Sequence, residues 1–409
     1  MTPPAAAATV RSDLPAASMQ HPKPDQAAVV GAASGVEAIG SIRDLYDGTL
    51  LPDLQVSTLR HVDRLFPTRI VARGAKVHAL PTSSRPWPAI RFDDGGHRWD
   101  LFDYLSLNRV SGLLVLQNGE VAFEHYALGN TAQTRWASMS MAKSITATLV
   151  GAAIHDGHIG SLDEQVCAYV PALAGSAYEG VTIRQVLQMT SGVRWNETYT
   201  DPQSDRRRLL EAQLSQRPGA LMDCMAALPR AGPPGSVWNY STGETQVAGA
   251  VLRAAVGQPL SGYLSERIWA RFGMEADASW WLESPGGMEV AGSGLSARLR
   301  DFARFGLFML GGGVAGGTQI LPQDWIEEAC SNSIQDSETP YGYMWWPLAA
   351  SAGAVHQGAY LAIGIFGQYL YIHPTRQVVI AQWSAMPKPK GTLPIQPASF
   401  FGAVVEALG

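Results

Sequence analysis

The stretch SMSMAKSITATLVGAAIHDG, residues 138–157, predicts a buried helix with a lysine inside it. Alanine, isoleucine, leucine and valine fill the segment, and Gly157 can end the helix. Lys143 lies one turn into the helix, where an unpaired buried ammonium group would cost free energy. The other lysines all stand in loop-like or proline- and glycine-rich sequence: Lys23, Lys76, Lys388 and Lys390. The position of Lys143 therefore needs a functional explanation.

Ser140 stands three residues before Lys143, so the two side chains share one face of the helix. Burial and the positive potential of a helix N-terminus both lower the pKa of a lysine. A neutral lysine beside a serine hydroxyl can act as a general base, and the Ser140 N–H can donate to a developing oxyanion. The pattern thus predicts Ser140 as nucleophile and Lys143 as base. The alternative is that Ser140 only caps the helix and Lys143 extends to the surface, because Ser-x-x-Lys also arises by chance.

Two later segments can complete such a site. In PPGSVWNYSTGETQ, residues 233–246, Tyr240 lies between a Pro-Gly turn and a helix, where its hydroxyl can relay a proton to a leaving group. In the predicted strand GIFGQYLYIHP, residues 364–374, the N–H of Ile365 can complete an oxyanion hole. The alternatives are an interface aromatic for Tyr240 and an ordinary strand with a bulge for residues 364–374.

The order of the elements predicts an α/β fold of the α+β type. Residues 111–130 predict a hairpin around Asn118-Gly119. Residues 362–385 predict a second hairpin around a Pro-Thr-Arg turn, and residues 398–409 a closing helix. Because hairpins pair neighbouring strands, we expect an antiparallel sheet assembled from both ends of the chain.

The same patterns suggest a domain organisation. Helical spacing of apolar residues recurs in the stretches 181–195, 241–257 and 296–313. The first predicted helix is stopped by Ser191-Gly192, the second by Gly257 and the third by three glycines. We expect residues 46–157 and 286–409 to form one α/β domain, with residues 158–285 as a mainly helical region. The first 45 residues, which begin with an alanine- and proline-rich run, are expected to be a disordered tail.

Composition excludes several classes of function. The 409 residues carry a formal net charge of -5, which gives no electrostatic reason to expect nucleic acid or an anionic membrane as a partner. Three cysteines with no CxxC argue against a disulfide framework and a zinc site, so no metal is expected. Neither a signal peptide nor an apolar run of about 18 residues is found, so we expect no transmembrane helix and a cytoplasmic location.

Six segments resemble, in this order, the superfamily of serine β-lactamases and penicillin-binding proteins, which combines Ser-x-x-Lys with a later tyrosine or serine motif and a Lys-Thr-Gly strand. They are residues 140–175, 181–202, 234–246, 292–310, 341–346 and 364–374. The tyrosine motif is typical of the branch with class C β-lactamases, family VIII carboxylesterases, D-aminopeptidases and nylon-oligomer hydrolases. The sequence is most similar to nylon-oligomer hydrolase-like (6-aminohexanoate-dimer hydrolase-like) esterases.

The resemblance implies a β-lactamase/transpeptidase-like fold, with an antiparallel sheet flanked by helices and an α-helical region beside the cleft. Matched by motif, Ser140 resembles the nucleophile, Lys143 the base and Tyr240 the catalytic tyrosine of the family. Tyr199, in WNETYTDP, resembles the loop tyrosine that contacts the substrate amide, and Ile365 the strand residue whose N–H completes the oxyanion hole.

Departures from the family pattern bear on the substrate. Tyr240-Ser241-Thr242 lacks the usual asparagine, and no Lys-Thr-Gly occurs near the C-terminus, so β-lactam recognition is not expected. His356-Gln357-Gly358 stands nearest to that place, which makes His356 a candidate for substrate binding. Gly292 stands where a substrate-binding asparagine is expected, so efficient nylon-dimer hydrolysis is not expected. Trp345 and its neighbour Trp346 are candidates for lining an acyl pocket, with a core role equally open.

The sequence therefore predicts a serine hydrolase that cleaves small carboxylic esters, and less readily linear amides, through an acyl-enzyme on Ser140. Its partner is a small-molecule substrate, no cofactor is required, and a homodimer is left open. One alternative is a D-amino-acid peptidase or penicillin-binding-like acyltransferase. Another is a non-catalytic binding protein on the same fold, against which the intact set of Ser140, Lys143 and Tyr240 argues.

Overall fold

The computed structural model describes residues 36–334, 339–391 and 393–409. Its strands, in chain order, are β1 (Thr68–Val71), β2 (Arg91–Asp94), β3 (His97–Asp100), β4 (Val110–Gln117), β5 (Glu120–Tyr126), β6 (Arg135–Ala137), β7 (Ala278–Trp281), β8 (Leu295–Arg298), β9 (Val314–Ala315), β10 (Thr318–Gln319), β11 (Trp346–Pro347), β12 (Tyr360–Gly364), β13 (Gln368–His373) and β14 (Val378–Ser384). Its helices are α1 (Ile42–Asp47), α2 (Pro52–Arg60), α3 (Leu101–Leu107), α4 (Met141–His155), α5 (Val166–Tyr169), α6 (Ile183–Leu187), α7 (Asp205–Leu214), α8 (Ala220–Ala226), α9 (Thr242–Val256), α10 (Leu260–Leu264), α11 (Ala270–Phe272), α12 (Leu299–Leu310), α13 (Trp325–Cys330) and α14 (Pro397–Leu408).

The main sheet combines strands from both ends of the chain. Its order is β11-β12-β13-β14-β4-β5, and every neighbouring pair is antiparallel. Asn118 and Gly119 join β4 to β5 with φ values of 52° and 81°, the left-handed conformation that a tight hairpin turn requires. The predicted antiparallel sheet and its two hairpins are therefore confirmed.

Both faces of this sheet are buried, and β14 shows how the sequence achieves it. Val378 and Ile380 belong to one apolar cluster, which also contains residues of α3 and α14. Val379, Ala381 and Trp383 belong to the other cluster, which contains residues of α4, α9 and α12. Successive side chains of a strand point to opposite faces, so an uninterrupted apolar run is what a central strand between helical layers needs.

A second sheet positions the helix that carries Ser140 and Lys143. Its strand order is β1-β7-β8-β6, again antiparallel. Strand β6 ends at Ala137, and the backbone N–H of Ser138 donates to the carbonyl of Leu295 at 2.8 Å. The start of α4 is thereby tied to the edge of this sheet immediately before the predicted nucleophile.

Three predicted elements differ from the structure. Residues 364–374 are not one strand, because Phe366 and Gly367 have φ values of 66° and 87° and form a turn between β12 and β13. The helix expected between residue 181 and its stop at Ser191-Gly192 is only α6, since Met189 adopts a left-handed conformation with φ of 57°. The helix expected over 296–313 begins only at Leu299, because β8 pairs with β6 and β7.

The predicted tail is also too long. Ile42 and Leu45 are buried in α1, whose first turn is capped by the Ser41 hydroxyl accepting from the Asp44 N–H at 3.1 Å. The prediction for residues 1–35 lies outside the described residues.

Residues 38–409 form one compact unit, and the division at residues 158 and 285 stays a prediction. Within the described part of the chain, no helix is both long and apolar enough to cross a membrane.

Candidate active site

The predicted nucleophile lies in a constrained turn. Ser140 directly precedes α4 and is 8% exposed. Met139, just before it, has a φ of 46°, which is unfavourable for a residue with a side chain and persists only where the surrounding structure enforces it. Gly364 permits this packing, since a Cβ on it would lie 2.4 Å from the Ser138 carbonyl oxygen. The end of β12 thus presses directly on the turn that presents Ser140.

The side chains of Lys143 and Ser140 share one face of the first turn of α4, as their spacing predicts. Its Nζ lies 3.0 Å from Ser140 Oγ and 3.0 Å from the carbonyl oxygen of Gly292, and the residue is 2% exposed. Burial lowers the pKa of Lys143 to about 7; the Glu197 charge opposes this shift, whereas Arg206 and Lys390 add to it. At neutral pH a substantial fraction of the amine therefore has a free lone pair that can take the proton of Ser140.

Tyr240 is brought to the same two residues from the segment before α9. The Lys143 nitrogen lies 5.2 Å from the Tyr240 ring centroid. Burial and then the Glu197 charge raise the pKa of the Tyr240 hydroxyl well above its usual range, although a hydrogen bond with Ser140 opposes the shift. Tyr240 therefore keeps its proton at neutral pH and is suited to donate one, while Lys143 is the group that can accept one.

Two backbone N–H groups are available for an oxyanion. Ile365 lies in the turn between β12 and β13 and lines the same cavity as Ser140. Among the hydrogen bonds of the described residues, neither the Ser140 N–H nor the Ile365 N–H has a protein acceptor. Pre-oriented donors of this kind stabilise the charge that develops on a carbonyl oxygen during attack. Residues 364–374 are thus not a single strand, but the position of Ile365 remains compatible with the predicted oxyanion donor.

These groups open into a cavity of about 560 Å³ with mainly apolar walls. Ser140 and Tyr240 are among the residues that line it. The apolar side chains around it include Trp238, Trp346, Ile363, Phe366, Met386 and Leu393. Among the described residues that line it, the charged ones are Lys388 and Lys390. The cavity can thus hold a small, largely apolar acyl compound.

Tyr199 also lines the cavity, on a loop held by an acidic residue that sequence reasoning missed. The Tyr199 hydroxyl donates to Glu197 at 2.9 Å. Glu197 also accepts hydrogen bonds from the Trp195 indole and from Thr242, at the start of α9. A carboxylate at a helix N-terminus is electrostatically favoured. The available signal was the acidic residue two positions before Tyr199 in WNETY.

Two predicted substrate-binding residues lie elsewhere. Trp345 is fully buried and packs edge-on against Tyr360 with a centroid distance of 5.3 Å, whereas its neighbour Trp346 lines the cavity. Neighbouring residues of an extended chain face opposite ways, so only one of the pair can reach the cavity. The structure therefore corrects the assignment from Trp345 to Trp346.

His356 is the second correction. Its two ring nitrogens lie 3.0 Å from the Tyr371 hydroxyl and 3.1 Å from the carbonyl oxygen of Ala398, in α14. Tyr371 belongs to the apolar cluster on the α14 face of the sheet. Because both nitrogens have structural partners and His356 does not line the cavity, it links β13 to α14 instead of binding substrate.

Lys390 and Gly292 also border the site. The Lys390 nitrogen lies 5.2 Å from the Tyr199 ring centroid and 5.7 Å from that of Tyr240. Lysine in a Pro-Lys-Pro-Lys-Gly loop looked unremarkable, since nothing local showed that the loop returns to the cavity. A Cβ on Gly292 would lie 3.3 Å from Lys143 Nζ. Within the described residues, no cluster of His, Cys, Asp and Glu side chains could hold a metal.

Ser140 lies one helical turn from a lysine with a lowered pKa. On this fold, that arrangement is typical of serine hydrolases of the β-lactamase type. The family model named Beta-lactamase matches residues 108–394. The chain therefore belongs to the β-lactamase family, which confirms the family and fold predicted from its motifs.

Known relatives include two types of enzyme. The 6-aminohexanoate-dimer hydrolase of Paenarthrobacter ureafaciens is 31% identical over 342 residues, covering 80% of this chain and 84% of the relative. A Bacillus anthracis structure, described as a candidate 6-aminohexanoate-dimer hydrolase, aligns with a TM-score of 0.74 at 24% identity, covering 87% of this chain and 92% of that chain. A family VIII carboxylesterase aligns with a TM-score of 0.55 at 18% identity, covering 73% and 91%. These two structural likenesses concern the fold.

Proposed function

We propose that this protein hydrolyses carboxylic esters of small molecules, and more slowly small amides, through an acyl-enzyme on Ser140. The observation that carries the proposal is the 3.0 Å contact between Ser140 Oγ and Lys143 Nζ, together with the Lys143 pKa of about 7. A serine hydroxyl is a weak nucleophile until a base within hydrogen-bond reach removes its proton. The names of the relatives, an amide hydrolase and a carboxylesterase, support both substrate types.

In the first step, Ser140 Oγ bonds to the substrate carbonyl carbon and its proton moves to Lys143 Nζ. The electron pair of the carbonyl moves to oxygen, where the N–H groups of Ser140 and Ile365 donate to the resulting oxyanion. Lys143, which is neutral before the step, becomes an ammonium group.

In the second step, the oxyanion re-forms the carbonyl and the bond to the leaving oxygen or nitrogen breaks. Tyr240 gives its hydroxyl proton to that leaving atom and takes a proton from the Lys143 ammonium group. The product alcohol or amine departs, and the acyl group remains on Ser140 as an ester.

Water completes the cycle. Its oxygen bonds to the acyl carbon while one of its protons passes to Lys143, and a second tetrahedral oxyanion forms in the same N–H pair. Cleavage of the bond to Ser140 Oγ releases the carboxylic acid, and the Lys143 ammonium group returns a proton to Ser140.

The test combines labelling with kinetics. Intact mass after exposure to a fluorophosphonate, and p-nitrophenyl ester hydrolysis, are compared for wild type, Ser140→Ala and Ser144→Ala. The control serine lies on the same helix, and its hydroxyl donates to the Met344 carbonyl at 2.6 Å. We expect one adduct in wild type and in Ser144→Ala, none in Ser140→Ala, and a loss of activity of roughly 10³-fold or more in the latter. A wild-type protein that forms no adduct, or a Ser140→Ala variant that retains activity, would refute the proposal.

A further inference from the structure

A second cavity lies next to the active-site cavity and has the opposite charge. It has a volume of about 320 Å³ and is lined by residues from 189–193, after α6, by residues from 231–239, before α9, and by Glu244 in the first turn of α9. Trp238 lines both cavities. Among the described lining residues, two lysines and no acid border the active-site cavity, whereas Glu244 is the charged residue of the second cavity. Because a cavity of one sign concentrates ligands of the opposite sign, the two neighbours favour different ions.

The Glu244 carboxylate is buried and has one oxygen available. Glu244 is 2% exposed, and its Oε1 accepts hydrogen bonds from the hydroxyl groups of Ser191 at 2.6 Å and Tyr178 at 2.9 Å. Its Oε2 has no hydrogen-bond partner among the described residues. Both donors are neutral, and no cationic side chain pairs with Glu244 in the described part of the chain. A buried carboxylate costs free energy unless its charge is compensated, so the second cavity presents an acceptor that lacks a counter-ion.

The walls of the second cavity suit an organic cation better than a metal ion. Neither a second acidic residue nor a histidine is among the described residues that line it. Calcium and magnesium need several oxygen ligands, which one carboxylate does not supply. Apolar side chains make up much of the wall: Met189, Val193, Ala231 and Val237. Trp238 adds an indole ring, whose face attracts cations. These walls can hold an ammonium group that carries a short hydrocarbon chain.

The outer wall of the second cavity is open to solvent. Residues 231–239 contain neither a helix nor a strand, and Val237 is 64% exposed. Two backbone hydrogen bonds hold this wall in place, from Gly235 N–H to the Thr190 carbonyl at 2.6 Å and from Asn239 N–H to the Met189 carbonyl at 2.9 Å. A small ion can therefore enter from this side without unfolding the surrounding helices.

We propose that the second cavity binds a small organic ammonium ion, of the class of short primary alkylammonium ions, through the Glu244 carboxylate. The ammonium group donates a charge-assisted hydrogen bond to Glu244 Oε2, and the alkyl chain packs against the apolar wall. The lysines of the active-site cavity repel the same ion, which directs it to the second cavity. This site does not depend on the chemistry of Ser140, so the inference goes beyond the proposed hydrolase function.

The affinity for the ion should rise with pH. Burial raises the pKa of Glu244 to about 7, although the hydrogen bonds from Ser191 and Tyr178 oppose the shift. A cation favours the ionised carboxylate, so at lower pH it must displace a proton and binds more weakly. An alkylammonium ion, like a lysine side chain, stays charged in this range. The pKa values of Tyr178 and of Cys224, which interacts with Tyr178, are raised, so both groups stay neutral there.

A matched pair of probes tests the site. n-Butylammonium and n-butanol are similar in size, but only the first is charged. Ligand-observed NMR titrations in phosphate buffer at pH 8 and pH 6 give the two Kd values. We expect n-butylammonium to bind roughly tenfold or more tightly than n-butanol at pH 8, with a smaller preference at pH 6. Glu244→Gln should abolish the preference. Glu120→Gln, at an exposed position outside both cavities, should keep it.

Val237 provides a second test that leaves Glu244 in place and stays decisive if Glu244→Gln does not fold. Because Val237 is exposed, substitutions there are compatible with the fold, which circular dichroism can verify. Val237→Lys places a positive charge on the cavity wall and should weaken n-butylammonium binding several-fold relative to Val237→Glu. The affinity for n-butanol should be nearly the same in both variants.

The outcomes separate this inference from the hydrolase proposal. Equal affinities of the two probes for wild type, an unchanged preference in folded Glu244→Gln, or equal n-butylammonium affinities of Val237→Lys and Val237→Glu would each overturn the inference. Binding should persist in wild type labelled on Ser140 with a fluorophosphonate, since the adduct occupies the other cavity. Loss of binding on labelling would place the ion in the active-site cavity and overturn the inference. If wild type forms no adduct, the hydrolase proposal fails, while the titrations still decide this one.

Discussion

The Glu197 carboxylate accepts a hydrogen bond from the Thr242 backbone N–H at 2.9 Å and another from the Thr242 hydroxyl. Thr242 begins α9, two residues after Tyr240, so the contact between Glu197 and Thr242 joins the Tyr199 loop to the segment that presents Tyr240. The Glu197 charge also raises the pKa of Lys143 against the larger lowering effect of burial. Glu197 does not line the cavity, but it holds the Tyr199 loop against the start of α9 and raises the pKa of Lys143.

Glu197→Gln should move the acidic limb of the pH–rate profile to lower pH. Removing the carboxylate charge removes an influence that raises the pKa of Lys143, so the base becomes neutral at lower pH. We expect a shift of roughly half a pH unit and a reduced kcat, because the amide satisfies the Thr242 and Tyr199 donors less well. Glu120→Gln, at an exposed position on β5, should leave the profile unchanged. A shift to higher pH would contradict this account.

In wild type, kcat/KM for a neutral ester should rise with pH through an apparent pKa of about 7 and then level off. Lys143 must lose its proton to act, while the raised pKa of the Tyr240 hydroxyl keeps that group protonated through the plateau. The measurement is kcat/KM between pH 5 and pH 9.5 in buffers of constant ionic strength. A bell-shaped profile with its maximum below pH 6 would assign the base to another group.

Lys143→Met should abolish activity and stabilise the fold near neutral pH. The folded pKa of Lys143 is about 7 against 10.5 for an ordinary lysine, so the unfolded chain binds more protons between these values. The lysine therefore destabilises the folded state most at and below pH 7, and this penalty shrinks as pH rises towards 10.5. We expect a gain of a few kcal/mol for the variant at pH 7, partly offset by the lost contacts of the ammonium group. Urea unfolding at pH 7 and pH 9.5 tests this, and a gain that grows with pH would contradict it.

Tyr240→Phe should slow hydrolysis most for substrates with a poor leaving group. A poor leaving group such as an alkoxide or an anilide needs a proton, so we expect losses of roughly 100-fold or more for alkyl esters and anilides. A p-nitrophenyl ester should lose far less, because p-nitrophenolate leaves without protonation. Tyr169→Phe, outside the cavity, is the matched control. Equal losses for all leaving groups would show that the Tyr240 hydroxyl acts on attack rather than departure.

Gly364→Ala should lower kcat by roughly tenfold or more with a smaller effect on the fold. The new Cβ would lie 2.4 Å from the Ser138 carbonyl oxygen, a backbone atom that cannot move without shifting the Ser140 turn. The Ile365 N–H would shift with it. Gly262→Ala is a suitable control, because its Cβ would meet only the end of the Gln258 side chain at 3.1 Å. Normal kcat in Gly364→Ala would mean that the oxyanion donors lie elsewhere.

The features that could be predicted from the sequence are those set by residues close together in the chain. Ser140 and Lys143 are one helical turn apart, so an α-helix by itself brings their side chains together. Asn118-Gly119 favours a hairpin through backbone conformation alone. The apolar runs of β4 and β14 predict strands, each as one arm of a hairpin. These predictions depend on residues within about one turn or one strand of each other.

Contacts between distant segments were decided only by the tertiary structure. Glu197 and Thr242 are 45 residues apart in the chain, and Lys390 comes to Tyr240 from a loop after β14. Trp345 and Trp346 are indistinguishable by type, and only the pairing of β11 with β12 shows which one faces the cavity. The sequence by itself therefore determined the pairing of Ser140 with Lys143, the proposed nucleophile and base, through the geometry of one helical turn. The tertiary structure decided the turn that holds Ile365, the contacts of Glu197 and the position of Lys390 at the cavity. Side-chain direction and the return of a loop to the cavity depend on long-range packing, which no local period encodes.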